Sequence, residues 1–374
     1  MKFDKLLKAE LIKQSANYYT DNFEYLGHGK HRSFKRKALN LGKRILFTPP
    51  VFKTLFSSDY FYKEVFLDKG FGMKKYLEKL DSFYDKLEDQ KSKDLLVLII
   101  AYHLMDYTKV KVPFHTPNYW NDLNDLIAKR DETNSIDLNF APFKLHYYDL
   151  NNYGKDIKIY FSEIGGYTTF LRGHYKHIID KDNYIGAAPG DTVLDLGGCF
   201  GDTALYFADE IGKEGKVYSF EFIPGSVQLF NRNLDLNPRL KDQIEIVDRP
   251  LWDKSGETIY YVDKGGGSKV SFKDFEGSEG TKQTISIDDF VKEYNVQKVD
   301  FIKTDIEGAE PYTINGAVET IKRFRPKMAI SIYHGMDDFT GIIEQIDQMN
   351  LNYKYYLGHA SIYAAETVLF CKPA

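Results

Sequence analysis

Cysteine is nearly missing: the chain of 374 residues holds two, Cys199 and Cys371, far apart and without metal-ligand spacing. That argues against a disulfide framework and for a reducing compartment. Long hydrophobic runs are missing as well. The longest, Leu95 to Ala101, falls far short of the about 20 apolar residues that cross a bilayer. No charge of one sign dominates the chain as a whole: the net charge of −4 gives no global electrostatic footprint for nucleic acid. The first residues, MKFDKLLKAELIKQ, are charged throughout and lack the apolar core of a secretory leader, so a cytoplasmic protein is expected. The dinucleotide fingerprint G-x-G-x-x-G is absent too. It would need glycine at Leu196, Gly198 and Gly201, whereas the chain has Gly197, Gly198 and Gly201.

What is present suggests two or three domains, at about 150 residues each. Residues 1 to about 140 read as mostly helical. Phe3, Leu6, Leu7, Leu11 and Ile12 recur at helical spacing, and segments 58–68, 72–90 and 92–108 follow as helices. Pro113 and Pro117 end them, and 122–130 offers one more. Lys30, Arg32, Lys35, Arg36, Lys37, Lys43 and Arg44 form a basic stretch, 30–44, interleaved with Phe34, Leu39 and Leu41. It reads as a solvated amphipathic helix, with peripheral contact to an anionic membrane or glycan carrier as the sharper alternative. No catalytic constellation occurs in this part, which is expected to be an accessory domain for substrate selection or oligomerisation, a homodimer included. From Phe143 the pattern turns to strands, and residues 141–374 are read as the second domain.

That second domain is organised around Thr192 to Asp202, TVLDLGGCFGD. A buried strand runs into Asp195, glycines follow, and Thr203 to Ala208 have helical spacing. Strand, glycine turn and helix form the first unit of a nucleotide-binding α/β sheet. A carboxylate at Asp195 would repel a pyrophosphate and suits a cationic amino-acid group, which points to S-adenosylmethionine instead of NAD. A tight turn in some other α/β protein has the same pattern. The next strand, Lys216 to Phe220, is followed by Glu221, twenty residues after Gly201, where an acid accepts from both ribose hydroxyls. After a third strand, Ile244 to Val247, Trp252 and Asp253 fall where the edge of an adenine would lie. The loop around Gly265 to Gly267 reads equally as a mobile lid or a plain surface loop. Ser286 caps a short helix.

The second informative stretch is VDFIKTDIEGAE, residues 299–310. Its strand delivers Lys303, Asp305 and Glu307 to the carboxyl end of the sheet, where open α/β folds keep their sites. A helix is expected over Ala309 to Thr320. Lys327 to Ser331 is the next strand, with Tyr333 and His334 at its end, and His334 there can act as a general base. The last two strands, from Tyr353 and Glu366, are expected to pair antiparallel, with His359 in the loop between them.

This ordered set resembles the FkbM-type family of S-adenosylmethionine-dependent methyltransferases, over about residues 185 to 373. VLDLGGCFGDTALYFA, KVYSFEFIP, VDFIKTDIEGAE, PKMAISIYH and ETVLFC carry the resemblance. It implies a seven-stranded Rossmann-like sheet with a terminal antiparallel hairpin, and O-methyl transfer to hydroxyls, often those of sugars in polysaccharides, glycolipids or natural products. By the match, Asp195 and the turn Gly197, Gly198, Cys199 and Gly201 hold the methionine end, and Asp202 and Thr203 are also expected to contact the cofactor. Glu221 and Phe222 take the ribose, and Trp252 and Asp253 the adenine. His334, Asp305 and His359, in that order, are the candidates for the proton acceptor. Lys303, Glu307 and Tyr333 are assigned to the acceptor, a carbohydrate or glycolipid. A divalent metal on Asp305, Glu307 and His334 is an alternative that is not favoured.

Overall fold

In the computed structural model, residues 2–19, 47–138, 144–264 and 268–374 are described; the basic stretch 30–44 and Gly265 to Gly267 lie outside them. The chain divides into two compact units, residues 1–120 with 361–367, and residues 121–360 with 368–374.

The first unit is helical, with helices Lys2–Ser15, Pro49–Phe56, Leu77–Lys86 and Gln90–Met105 and a wide-turn segment Phe61–Gly70. Each helix buries one apolar stripe. Phe3, Leu7 and Leu11 are fully buried, as are Leu96, Ile99 and Ile100 of the long apolar run. Burying each such side chain stabilises the fold by about 1.5–3 kcal/mol. Asp89 starts the helix that contains this run by accepting from the Ser92 N–H at 2.6 Å. Phe52 stacks on Phe56, and Phe66 meets both edge-on.

The second unit opens with an antiparallel meander: β1 Asp131–Asp137, β2 Lys144–Asp149 and β3 Lys158–Phe161. The compact units therefore part at residue 120, not at 140. β1 pairs with β2, and Arg130, just ahead of it, pairs with Glu163 at 2.6 Å. Both belong to the unit that carries the sheet. A small hairpin, β4 His177–Asp180 and β5 Asn183–Ile185, leads to the core. Its strands are β6 Thr192–Leu196, β7 Lys216–Phe220, β8 Ile244–Val247, then, after an antiparallel insertion of β9 Thr258–Val262, β10 Lys269–Ser271 and β11 Gly280–Gln283, come β12 Phe301–Thr304, β13 Lys327–Ser331, β14 Tyr353–His359 and β15 Thr367–Pro373.

The seven-stranded order is β14-β15-β13-β12-β6-β7-β8, parallel from β13 to β8, with β15 antiparallel to β13. All five residues of β6 are buried, as a strand covered on both faces requires. The chain fills the sheet outward from β6 to β8 and then returns to build β12 on the other side. The strand order thus reverses between β6 and β12, and ligands of such sheets bind in the crevice at that switch point. The expected helix over Ala309 to Thr320 is two helices, Glu310–Asn315 and Val318–Phe324. They part at Gly316, where an added Cβ would lie 2.5 Å from the Trp252 carbonyl oxygen. His359 is the last residue of β14 instead of a loop residue.

Candidate active site

The register between β6 and β12 sets Asp195 beside Lys303, and that between β6 and β7 sets Asp195 beside Ser219. Asp195 is fully buried and saturated with donors. Thr203 Oγ1 donates to both its oxygens at 2.9 Å, Ser219 Oγ donates at 2.7 Å, and Lys303 Nζ stands 3.2 Å away. Lys303 also donates to the Gly197 carbonyl at 2.6 Å and to that of Leu196 at 3.3 Å. Burial works against the Lys303 cation, but Asp195, Asp305 and Asp202 around it prevail and raise its pKa. This corrects two sequence readings. The Asp195 charge answers Lys303, not a ligand's ammonium. Lys303 is sealed in the interior and does not face an acceptor; both residues hold the glycine turn in shape. Thr203, too, spends its hydroxyl on Asp195.

The turn is packed tightly against the protein around it. Gly197 has φ 91°, and a Cβ there would lie 2.0 Å from the Asp305 carbonyl oxygen. Gly201 has φ 85°, and its Cβ would enter the Phe230 ring. Only glycine satisfies both demands. Gly198 donates to the Phe220 carbonyl at 2.9 Å, which ties the turn to β7. Cys199, also left-handed at φ 44°, packs beside Phe200 and Leu229, and burial raises its thiol pKa further. Asp202 begins the helix Asp202–Ile211 and accepts from Thr169 at 3.1 Å; burial pushes its carboxyl up to about 6.

Glu221 follows β7 directly. Its Oε1 accepts from the N–H groups of Phe222 and Ile223, both at 2.8 Å. Burial pushes its carboxyl up to about 7 against those bonds. The half-buried Phe222 lies edge-on to Tyr261. Trp252 stacks on Tyr312 at 3.9 Å, with Phe272 against it at 4.7 Å. Asp253 is half-buried beside it.

Across the switch point, the turn Asp305 to Glu310 is built by two left-handed residues, Glu307 at φ 55° and Gly308 at φ 94°. Glu310 closes the turn by accepting from the Ile306 N–H at 2.8 Å. Asp305 gathers two phenols: Tyr175 donates at 2.9 Å, and Tyr333 at 3.0 and 3.2 Å. His334 stands among three carboxylates, 3.1 Å from Glu310, 3.5 Å from Asp305 and 3.7 Å from Glu307. Burial alone would discharge its ring, but those acids outweigh it and hold the pKa at about 9. A ring protonated at neutral pH donates and cannot take a proton, so the order of base candidates changes in favour of Asp305. His359 lies two strands from β13 in the sheet order, at the end of the outermost strand.

Two participants escaped the sequence reading. Tyr175 belongs to the stretch ahead of the core and carries no motif. Glu310 closes a quoted motif, and its spacing five residues from Asp305 was the available signal. Glu307 was read as part of the cluster, yet its side chain is 74% exposed while that of Glu310 is fully buried. The inner acid of the cluster is therefore Glu310.

A parallel sheet reversing at β6, a glycine turn at that point and an acid at the next tip define a class I S-adenosylmethionine-dependent methyltransferase domain. The model of the methyltransferase FkbM domain matches residues 185–356, and over this stretch the chain is similar to that family. The chain is also similar to the solved methyltransferase FkbM of Methylobacillus flagellatus KT, at 16% identity and a TM-score of 0.50, over 91% of this chain and 71% of that one. Fibrillarin of Aeropyrum pernix, solved with natively bound S-adenosyl-L-methionine, is similar at 13% identity and a TM-score of 0.38, over 61% of this chain and 89% of that one. No curated protein sequence matches the chain. The protein is a methyltransferase whose cofactor is S-adenosylmethionine. No described helix is long and apolar enough to cross a membrane.

Proposed function

We propose that this domain methylates a hydroxyl of a carbohydrate acceptor, in a glycan, a glycolipid or a nucleotide sugar. The observation that carries the reading is the array of Asp305, Tyr175, Tyr333 and His334 at the β12 and β13 tips, beside the cofactor turn. An aliphatic hydroxyl is a weak nucleophile that needs orientation and a proton acceptor. Two phenols, a carboxylate and an imidazole offer both, and they suit an acceptor rich in hydroxyls.

The cofactor supplies an already activated methyl group. The residues of this chain do the rest. The glycine turn admits the methionine end, and Glu221 accepts from the ribose. Trp252 and Asp253 border the adenine. At the other tip, Asp305 takes the hydroxyl proton, while Tyr175 and Tyr333 fix the direction of its carboxylate. Protonated His334 balances the acids beneath it. The partner is a sugar and not nucleic acid, whose polyanionic backbone finds no positive balance in a chain of net charge −4.

The test is a panel of nucleotide sugars, oligosaccharides and glycolipids incubated with protein and S-adenosylmethionine. Mass spectrometry should show a gain of one methyl group on a sugar. Transfer confined to aglycone or lipid hydroxyls would refute the carbohydrate assignment.

A further inference from the structure

The cluster Asp305, Glu310 and His334 carries more negative charge and fewer hydrogen bonds than a settled ion-pair network. Glu310 is fully buried, and its Oε2 has no hydrogen-bond partner. The His334 side chain is 10% exposed, and neither ring nitrogen makes an aligned hydrogen bond, although Nδ1 lies 3.1 Å from Glu310 Oε1 and Nε2 3.5 Å from Asp305 Oδ1. A buried carboxylate oxygen left unpaired costs about 1–3 kcal/mol or more, so its retention calls for a partner. One atom from each of the three residues lies within 4.8 Å of the others. Bonds of about 2.0–2.2 Å to one cation place neighbouring ligand atoms roughly 3.0–3.5 Å apart. The Glu310 and Asp305 approaches are to opposite nitrogens of the ring, so one of them already has the spacing of a shared ion and side-chain rotation brings the other carboxylate round to it.

We propose that Asp305, Glu310 and His334 bind one divalent cation of the Mn²⁺ or Zn²⁺ class. One imidazole and two carboxylates match the mixed nitrogen and oxygen preference of these ions. Calcium, which takes six or more oxygens, has too few here. Asp305 holds the ion at the lip of the crevice, where it faces an incoming hydroxyl and lowers that hydroxyl's pKa. This last step rests on the acceptor reading above; the binding site itself does not. With the ion in place, it replaces the proton on the His334 ring, Asp305 becomes a ligand instead of the proton acceptor of the metal-free site, and the acidified hydroxyl gives its proton to solvent water.

The experiment uses the full chain, stripped by exhaustive chelation, with Mn²⁺ as the probe. Titration is followed by the loss of the free-ion paramagnetic resonance signal and by calorimetry. One Mn²⁺ per chain is expected to bind at micromolar concentration. Glu310→Gln and His334→Ala should each weaken binding by about 100-fold, the upper end of what disturbing a metal's supporting groups costs. Glu307→Gln, at an exposed position, should change it less than about threefold. Asp305→Asn is the second ligand variant should Glu310→Gln fail to fold. S-adenosylmethionine affinity serves as the folding control. Absence of saturable binding below millimolar Mn²⁺ overturns the proposal, as does loss of binding in Glu307→Gln with retention in Glu310→Gln. A wild type that binds Mn²⁺ but transfers no methyl to any sugar would count against the acceptor reading and leave the metal site standing.

Discussion

Two clusters of ionised groups flank the same switch point, and they are built on opposite plans. At the β6 tip, Asp195 meets Lys303, Thr203 and Ser219, and its charge is answered inside the protein. At the β12 and β13 tips, Asp305, Glu307 and Glu310 meet a single histidine, and a buried carboxylate oxygen stays unpaired. The first cluster is closed and shapes a loop. The second leaves a buried carboxylate oxygen without a hydrogen bond. Function at this crevice therefore depends on a satisfied network supporting an unsatisfied one, with Lys303 and Tyr175 linking the two: the Lys303 ammonium lies 5.3 Å from the Tyr175 ring, whose hydroxyl reaches Asp305.

The largest effect that would break this contrast is on the closed side. Lys303→Met leaves the Asp195 charge buried and unanswered, and should destabilise the domain by about 3–5 kcal/mol, read from chemical denaturation. Lys303→Met combined with Asp195→Leu should recover much of that loss, because no lone charge remains. A Lys303→Met protein of wild-type stability would show that the closed cluster does not hold the turn.

Next in size is Glu221. Its folded carboxyl sits at about 7, so it is protonated below that pH and ionised above it. Only the ionised form accepts from two ribose hydroxyls. Cofactor affinity should thus rise with pH through 7 and level off above 8, falling about tenfold per pH unit on the acid side. Glu221→Gln should weaken binding by about 10- to 100-fold, the worth of charge-assisted hydrogen bonds, and flatten the profile. The stability sign is opposite to that of a paired acid. With the folded pKa raised above 4.5, deprotonation between about 4.5 and 7 costs the fold stability as pH rises. Calorimetry across pH 5.5 to 8.5 checks the affinity, and a flat wild-type profile would remove Glu221 from the ribose.

The smallest effect is at Tyr175. Tyr175→Phe deletes one donor to Asp305 and should lower kcat/KM by about two- to tenfold, with cofactor affinity unchanged. Equal loss in both would place Tyr175 in the closed cluster instead.

The contrast also explains what was legible in the sequence. β6, β7, β12 and β13 announced themselves as short apolar runs ending in glycine, acid or histidine, and the parallel sheet followed from their alternation with helices. The site was legible as far as the strand tips, because a strand's last residues point at the crevice whatever surrounds them. What a tip residue faces was not. Asp195 and Lys303 look like site residues in one dimension, and only the register between β6 and β12 shows that they neutralise each other. Glu307 and Glu310 differ by three positions, and the two left-handed residues of the turn decide which is buried. Tyr175 arrives from 130 residues away, with no local signal. The compact units part at residue 120, and β1, short and polar, carries no apolar alternation that would mark the second unit from the sequence.

The central claim is that cofactor binding and proton removal reside on separate tips. It is tested most directly by Asp305→Asn, with the S-adenosylmethionine dissociation constant and single-turnover methyl transfer measured on the same preparation. An unchanged dissociation constant with transfer slowed by about 10²- to 10⁴-fold is the predicted result. Full transfer, or loss of cofactor binding in step with transfer, would contradict it.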